Sequence, residues 1–409
     1  MNSSEYGSGP TILTSVQLDQ RSRMTAEHAR VPHATVPVGR TYFPWLDALR
    51  GFAAFSVIVY HLVVLANLPV PATMPWQWFR FGFLGVDLFF AISGAVILLA
   101  LEQSLRRAPT RYRRDFFRLR LARILPLYVI ACAAFVVFVK PDILHRADLT
   151  HLLIAQLLFV QNLSASTHGV INGPSWSLGL EMQFYVLMAL GGALLLKPRG
   201  WMLPMMSFVI AIGWRALVWW QDAGSHLATP DPAQFIHASQ LPGVIDAFAA
   251  GMLVALWQCR RRARGDVPHV RLALMLGALA LLCWCGALEW FVARAGDYWA
   301  NPLSATGLRS LTALAGGLTV AAAFAAPTLR FGSKLMMLCG DLSYGLYLWH
   351  MPVLLWLQPR MPGDAPWRFA IATFAITIAL SALTWFAIER PILRWARRMR
   401  GASDIASVQ

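Results

Sequence analysis

Charge is scarce in this chain: of 409 residues, 13% are charged and 57% are hydrophobic. A water-soluble domain carries about a quarter charged residues, so this scarcity excludes an ordinary soluble enzyme. Cysteine is scarce too. Cys132, Cys259, Cys283, Cys285 and Cys339 are the only five, and they lie in or at the ends of apolar runs. That placement excludes a disulfide framework and reads as buried structural thiols. A CxxC pair, zinc-ligand spacing, HExxH, a P-loop and GxGxxG are all missing, so no metal, nucleotide or dinucleotide motif is present.

Acidic residues are outnumbered, 20 against 35 basic ones, for a net charge of +15. The excess is not gathered with aromatics on one face, which argues against a nucleic-acid partner. It sits instead in the connectors between eleven apolar runs: 46–66, 81–101, 121–140, 151–163, 177–196, 201–220, 241–257, 271–291, 305–325, 338–357 and 369–388. Ten are long enough to cross a bilayer and 151–163 is not.

Basic clusters follow the second run (Arg106 to Arg120), the fifth (Lys197, Arg199), the seventh (Arg260 to Arg264) and the last (Arg390 to Arg400), and one precedes the tenth (Arg330, Lys334). By the positive-inside rule all five belong in the cytoplasm. That holds only if 151–163 does not cross and is a re-entrant or interfacial helix. The expected architecture is an all-α polytopic membrane protein of about ten transmembrane helices, with both termini cytoplasmic. Residues 1–41 are polar and read as a disordered cytoplasmic tail, 42–395 as one membrane domain, and 396–409 as a short basic cytoplasmic tail.

Polar residues inside the apolar runs mark candidate sites, because a bilayer makes them expensive. The first run holds Asp47, Arg50 and His61. Eleven residues at 100° each bring Arg50 and His61 within about 20° of one face, roughly 16 Å apart along the helix. Asp47 and Arg50 also have the spacing of a plain salt bridge. Asp87 opens the second run and needs a donor. Arg120 and Arg123 share a face, and guanidinium forks bind phosphates in pairs. Glu181 and Tyr185 share a face near the start of the fifth run, where a carboxylate can orient an imidazole or simply favour the helix dipole. Asp246, Arg215 and Arg309 are further buried-charge candidates. Tyr344, Tyr347 and His350 form a polar stripe at i, i+3 spacing, and an interfacial aromatic belt is the plainer reading of it. Glu389 is expected to neutralise neighbouring arginines.

The ordered set Leu46-Asp47-Ala48-Leu49-Arg50-Gly51 with His61, Gly85-Val86-Asp87-Leu88-Phe89-Phe90 with Ser93-Gly94, Arg120 with Arg123, Trp176-Ser177-Leu178 with Glu181 and Gln183-Phe184-Tyr185, Tyr344-Gly345-Leu346-Tyr347-Leu348-Trp349-His350, and Glu389 with Pro391 resembles the integral-membrane acyltransferase 3 family. The resemblance implies an O-acyltransferase of the bacterial inner membrane, moving an acyl group, acetyl above all, from cytoplasmic acyl-CoA to a hydroxyl of a surface or exported glycan or a lipid-linked sugar. Such acceptors include lipopolysaccharide and exopolysaccharide. Membrane lipids and glycan-assembly proteins would be its other partners, with no metal and no nucleic acid. It also implies Arg50 and His61 as catalytic residues, with Arg120 and Arg123 as the paired arginines of the family; by their chemistry His61 is expected to serve as general base or to carry the acyl group, Arg50 to anchor the donor or stabilise negative charge, Glu181 to orient the imidazole, and Arg120 and Arg123 to hold the coenzyme. Where many members carry two adjacent acids, this chain has only Glu181. The competing reading is a proton-coupled transporter or flippase of a glycan precursor, using Arg50, His61, Glu181 and His350 as a pathway. A scaffold without chemistry is a third.

The topology is testable directly. In intact cells an impermeant thiol reagent should label Asn162→Cys and leave Arg199→Cys untouched; external labelling of Arg199→Cys inverts the map.

Overall fold

The computed structural model describes residues 43–221, 232–327, 332–361 and 365–405. The tail expected over 1–41 and the basic Arg330 lie outside the described residues. Ten long helices build the bundle: α1 Pro44–Ala66, α2 Gly85–Arg107, α3 Tyr112–Phe138, α4 Trp176–Gly191, α5 Met202–Gln221, α6 Leu241–Arg264, α7 Val270–Ala293, α8 Pro302–Ala325, α9 Ser333–Leu357 and α10 Pro366–Thr384. After α10 the chain makes one wide turn over Trp385–Glu389 and continues as a helix to Ile405. Residues 396–405, expected to belong to a short basic tail, are therefore helical. That helix lies on α3, with the Arg118 guanidinium 5.3 Å from the Trp395 ring.

Among the described residues, nine helices are long and apolar enough to cross a membrane. The sequence led us to expect ten. The exception is α9, whose 25 residues span about 37 Å at 1.5 Å each. Its Ser343, Tyr344, Tyr347 and His350 lower its hydropathy but are buried against protein, among α1, α3 and α10. A helix screened from lipid by its neighbours has no need of an apolar surface.

The short run forms a nine-residue helix, Leu149–Leu157, about 13 Å long and well short of a bilayer core. Two packing relations show that it does not cross. The Tyr112 hydroxyl at the start of α3 donates to the Ala189 carbonyl at the end of α4 at 3.3 Å, and Arg120 lies 5.8 Å from the Tyr185 ring, so α3 and α4 are antiparallel. On the other side of the bundle, Gly51 meets Cys339 and His61 meets His350, so α1 and α9 run parallel. An added crossing between α3 and α4 would reverse both relations. The arginine-rich ends of the helices consequently gather at one end of the bundle, here termed the basic end.

Close approach of backbones explains two glycines. A Cβ on Gly94 would overlap the Phe248 carbonyl of α6, and one on Gly251 would overlap the Ala91 carbonyl of α2. Carbonyls cannot swing aside as side chains do, so α2 and α6 touch only because both positions lack a side chain. Two ion pairs lock the same region. Asp87 of α2 accepts from Arg309 of α8 at 2.8 Å and from Thr312 at 3.1 Å. Asp246 of α6 accepts from Arg215 of α5 at 2.9 Å and from Ser310 at 2.7 Å.

Gly251→Val should lower the detergent melting temperature by several degrees, as overpacking of about 1–3 kcal/mol requires. Gly277→Ala, with nothing within 4 Å of the added carbon, should leave it unchanged.

Candidate active site

His61 lies five residues from the end of α1 opposite the basic end, and its partner comes from α9. His61 Nδ1 is 2.9 Å from the Val57 carbonyl and 3.3 Å from His350 Nε2. His350 Nδ1 is 3.3 Å from the Leu346 carbonyl, and the residue is fully buried. For two neutral imidazoles this pattern fixes the protons. A nitrogen facing a carbonyl must carry hydrogen, so His350 donates from Nδ1 to Leu346 and is bare at Nε2. That bare nitrogen accepts from His61 Nδ1–H, which is shared with Val57. His61 Nε2 therefore keeps its lone pair, the form required of a general base.

Glu181, expected to orient the His61 imidazole, is not brought to it. Its Oε1 accepts from Ser93 Oγ of α2 at 3.2 Å and from the Tyr185 hydroxyl, and no described contact joins it to His61. Instead it faces a cavity of about 50 Å³ together with Arg50, Ser93, Ser177, Tyr344 and Tyr347. At about 10–15 Å³ per water-sized occupant, that is room for three to five such atoms. His61 does not line this cavity. Tyr347 touches both regions: it lines the cavity, its ring centroid is 5.9 Å from that of His350, and its hydroxyl is held by Ser177 at 2.8 Å and the Pro174 carbonyl at 3.0 Å.

The two arginines of α3 differ in their commitments. Arg123 is paired with Glu389 at 3.1 Å and with the Asp341 carbonyl at 3.4 Å, its plane between Tyr344 and Trp385. Glu389 thus neutralises an arginine of a distant helix rather than its sequence neighbours. Arg120 lies against Phe116 and Tyr185, has no ion pair among the described residues, and leaves its Nε unpartnered. Arg50 likewise has neither ion pair nor hydrogen bond among the described residues, and it lies within electrostatic reach of both Arg120 and Arg123. Arg50 lines the cavity and Arg120 lies within electrostatic reach of Glu181 on its wall, so two guanidinium groups without an ion pair stand where a polyanion could be met.

Of the remaining candidates, Tyr185, Tyr347 and His350 are part of this region. Asp47 packs at the Gly340 position of α9. Asp87 and Asp246 are held in the ion pairs that lock α2, α5, α6 and α8, away from the cavity. A larger cleft of about 580 Å³ opens at the basic end between Glu102, Arg106, Lys197, Trp201 and Arg260. Ser93 and Glu102 are nine residues apart on α2, hence half a turn out of phase, so this cleft faces away from the cavity. No group of three or more His, Cys, Asp or Glu is gathered for a metal among the described residues.

The meeting of His61 with His350, and of Arg123 with Glu389, joins residues 289 and 266 positions apart. Each of these four residues carried a sequence signal of its own, the polar stripe on α9 in the case of His350, but no signal named the partner. Ser93 and Ser177 carried no signal beyond their place in the family-like motifs.

The sequence matches the family described as an acyltransferase domain, acyltransferase 3, over residues 43–386. This chain belongs to the acyltransferase 3 family. It is similar to the peptidoglycan O-acetyltransferase OatA of Listeria monocytogenes, 27% identical over 385 residues, which is 88% of this chain and 57% of that protein. It is also similar to the putative peptidoglycan O-acetyltransferase YrhL of Bacillus subtilis, 26% identical over 86% of this chain and 55% of the relative. The O-acetyltransferase OatA of Staphylococcus aureus is 26% identical over 86% of the chain and 57% of the relative. The chain thus spans somewhat more than half the length of these relatives. No solved structure matches it. The acyltransferase 3 domain accordingly covers every residue of the cavity and the histidine pair.

Glu389→Gln should strand a largely buried guanidinium and cost about 3 kcal/mol of stability. Pairing it with Arg123→Met should recover most of that loss in a detergent melting experiment.

Proposed function

We propose that the protein is a membrane O-acyltransferase that moves an acetyl group from cytoplasmic acetyl-CoA to a hydroxyl of a cell-surface or exported glycan, in the inner membrane of a bacterium. The observation that carries this reading is the pairing of His61 with His350, which leaves a free base nitrogen near one end of a bundle whose other end holds Arg50 and Arg120, neither in an ion pair among the described residues. The names of the relatives agree with acetyl and with a glycan. The small cavity agrees with acetyl over a longer chain.

In this reading the basic end faces the cytoplasm. Arg120 and Arg50 hold the phosphates of the coenzyme, and Arg123, already neutralised by Glu389, shapes the mouth. Arg50 lies roughly 16 Å from His61 along α1, too far to touch the reacting carbonyl, so it anchors the donor. The thioester arm enters past Glu181 and Ser93, and the Tyr347 ring must turn aside for it to reach His61. His61 Nε2 takes the proton of the acceptor hydroxyl as its oxygen attacks the thioester carbonyl. The tetrahedral intermediate then collapses, the carbon–sulfur bond breaks, and the coenzyme thiolate leaves with the proton returned from His61. The imidazolium formed in between shares its Nδ1 proton with His350 Nε2, as a carboxylate shares it in hydrolase triads.

Proteoliposomes loaded with labelled acetyl-CoA test this. His61→Ala should abolish transfer to glycan in a protein that still folds, and His350→Gln should lower kcat about a hundredfold, in the range of a lost proton-transfer partner. Full transfer by His61→Ala removes it from the mechanism, and solute flux without acetyl transfer favours a transporter.

A further inference from the structure

The connector between α3 and α4 holds a second constellation, at the end of the bundle opposite the arginines. From 149 to 180 the chain contains no Asp, Glu, Lys or Arg. Eleven buried side-chain polar atoms lack a hydrogen-bond partner among the described residues, and four of them fall between 161 and 172: Gln161 Oε1, Asn162 Nδ2, His168 Nε2 and Asn172 Oδ1. Leaving such atoms dry is costly, so their concentration in one loop marks a place for a polar occupant.

The other end of each amide is fixed. Gln161 Nε2 donates to the Ser175 carbonyl at 2.8 Å, Asn162 Oδ1 accepts from Gln183 Nε2 at 2.8 Å, and Asn172 Nδ2 donates to the Leu348 carbonyl at 3.1 Å. The amides are thus oriented in advance, each with one end unpartnered. Gln161, Asn162 and Asn172 are all at most 2% exposed. Two of the open atoms accept, one donates, and the imidazole nitrogen does whichever its tautomer allows. Hydroxyl groups satisfy both kinds.

Beside them lie three partly exposed rings. The centroids of His168 and Trp176 are 5.7 Å apart, those of Trp176 and Phe235 5.7 Å, and those of His168 and Phe235 6.1 Å. Burial pushes the His168 imidazole down to about 4, so this aromatic platform is uncharged at neutral pH. Flat apolar rings next to pre-oriented amides, with no formal charge, suit a neutral sugar, whose ring faces are apolar and whose edges are hydroxyls.

We propose that the 161–176 loop and Phe235 form the acceptor site, binding a neutral saccharide that stacks on Trp176, with the buried, unpartnered ends of Gln161, Asn162 and Asn172 behind it to take up its hydroxyls as the loop yields. The loop is well placed for it. Asn172 grips Leu348, and Pro174 and Ser177 hold Tyr347, so it is clamped to the turn of α9 that carries His350. A bound hydroxyl is thereby brought toward the histidine pair from the side opposite the donor. The assignment rests on the acyltransferase reading for its purpose, though not for its ligand.

The probe is the N-acetylglucosamine tetramer. In proteoliposomes supplied with acetyl-CoA, Trp176→Ala should raise the KM for the tetramer about tenfold, the loss expected from one stacking surface, with Trp176→Phe intermediate. Trp367→Ala, exposed on another face, should change nothing. Calorimetry on the full-length His61→Ala protein should show tetramer binding that disappears when Trp176→Ala is added; if that protein fails to fold, the Trp176→Phe pair carries the comparison. Acetyl transfer with a KM indifferent to Trp176, or no tetramer binding at all, overturns the site and leaves the acyltransferase reading standing. Tetramer binding that depends on Trp176 in a wild-type protein that transfers no acetyl does the reverse.

Discussion

The parallel contact of α1 with α9 is the packing relation on which the rest of the site depends. Gly51 lets the Cys339 turn approach, and Gly340 receives Asp47. With the two backbones that close, residues equally far along each helix meet, and His350 reaches His61. The same contact brings Tyr344 and Tyr347 to the cavity that Arg50 lines. Separating the helices by the width of one side chain would break the imidazole pair, because a hydrogen bond at 3.3 Å tolerates little added length.

A bilayer explains the distribution of polar side chains. With no water at hand, a buried polar group must be satisfied by protein, and most of these are. Asp87 with Arg309 and Asp246 with Arg215 are closed pairs that hold α2, α5, α6 and α8 together, and Arg123 with Glu389 closes the basic end. Against that background the open groups stand out. Arg50 and Arg120 form no ion pair among the described residues, with Glu389 and Glu181 only within electrostatic reach, and the amides of the 161–172 loop have unpartnered ends. They lie on opposite sides of the histidine pair, as a donor that is anionic and an acceptor that is neutral would require.

Much of the architecture was legible in the sequence because hydropathy and charge asymmetry are local properties. Ten of eleven runs became long helices, and the requirement that basic connectors share one side correctly removed the short run at 151–163 from the crossings. The helix after Glu389 was missed, since its arginine-rich surface looks like a tail until it lies along α3. The candidate site was legible residue by residue, through the order of its motifs. Its partnerships were not: Glu181 was expected to serve His61, and it turns instead to Ser93 and Tyr185.

What the sequence alone determined is therefore the set of helices, their order across the bilayer, and the polar residues that a membrane would not tolerate without cause. The bilayer imposes those through length, periodicity and charge, each readable along one segment. Tertiary structure alone decided which polar residues meet. Hydrogen bonds reach about 3 Å, and whether His61 finds Glu181 or His350 is settled by how helices 289 residues apart rotate and pack, a relation no single segment encodes.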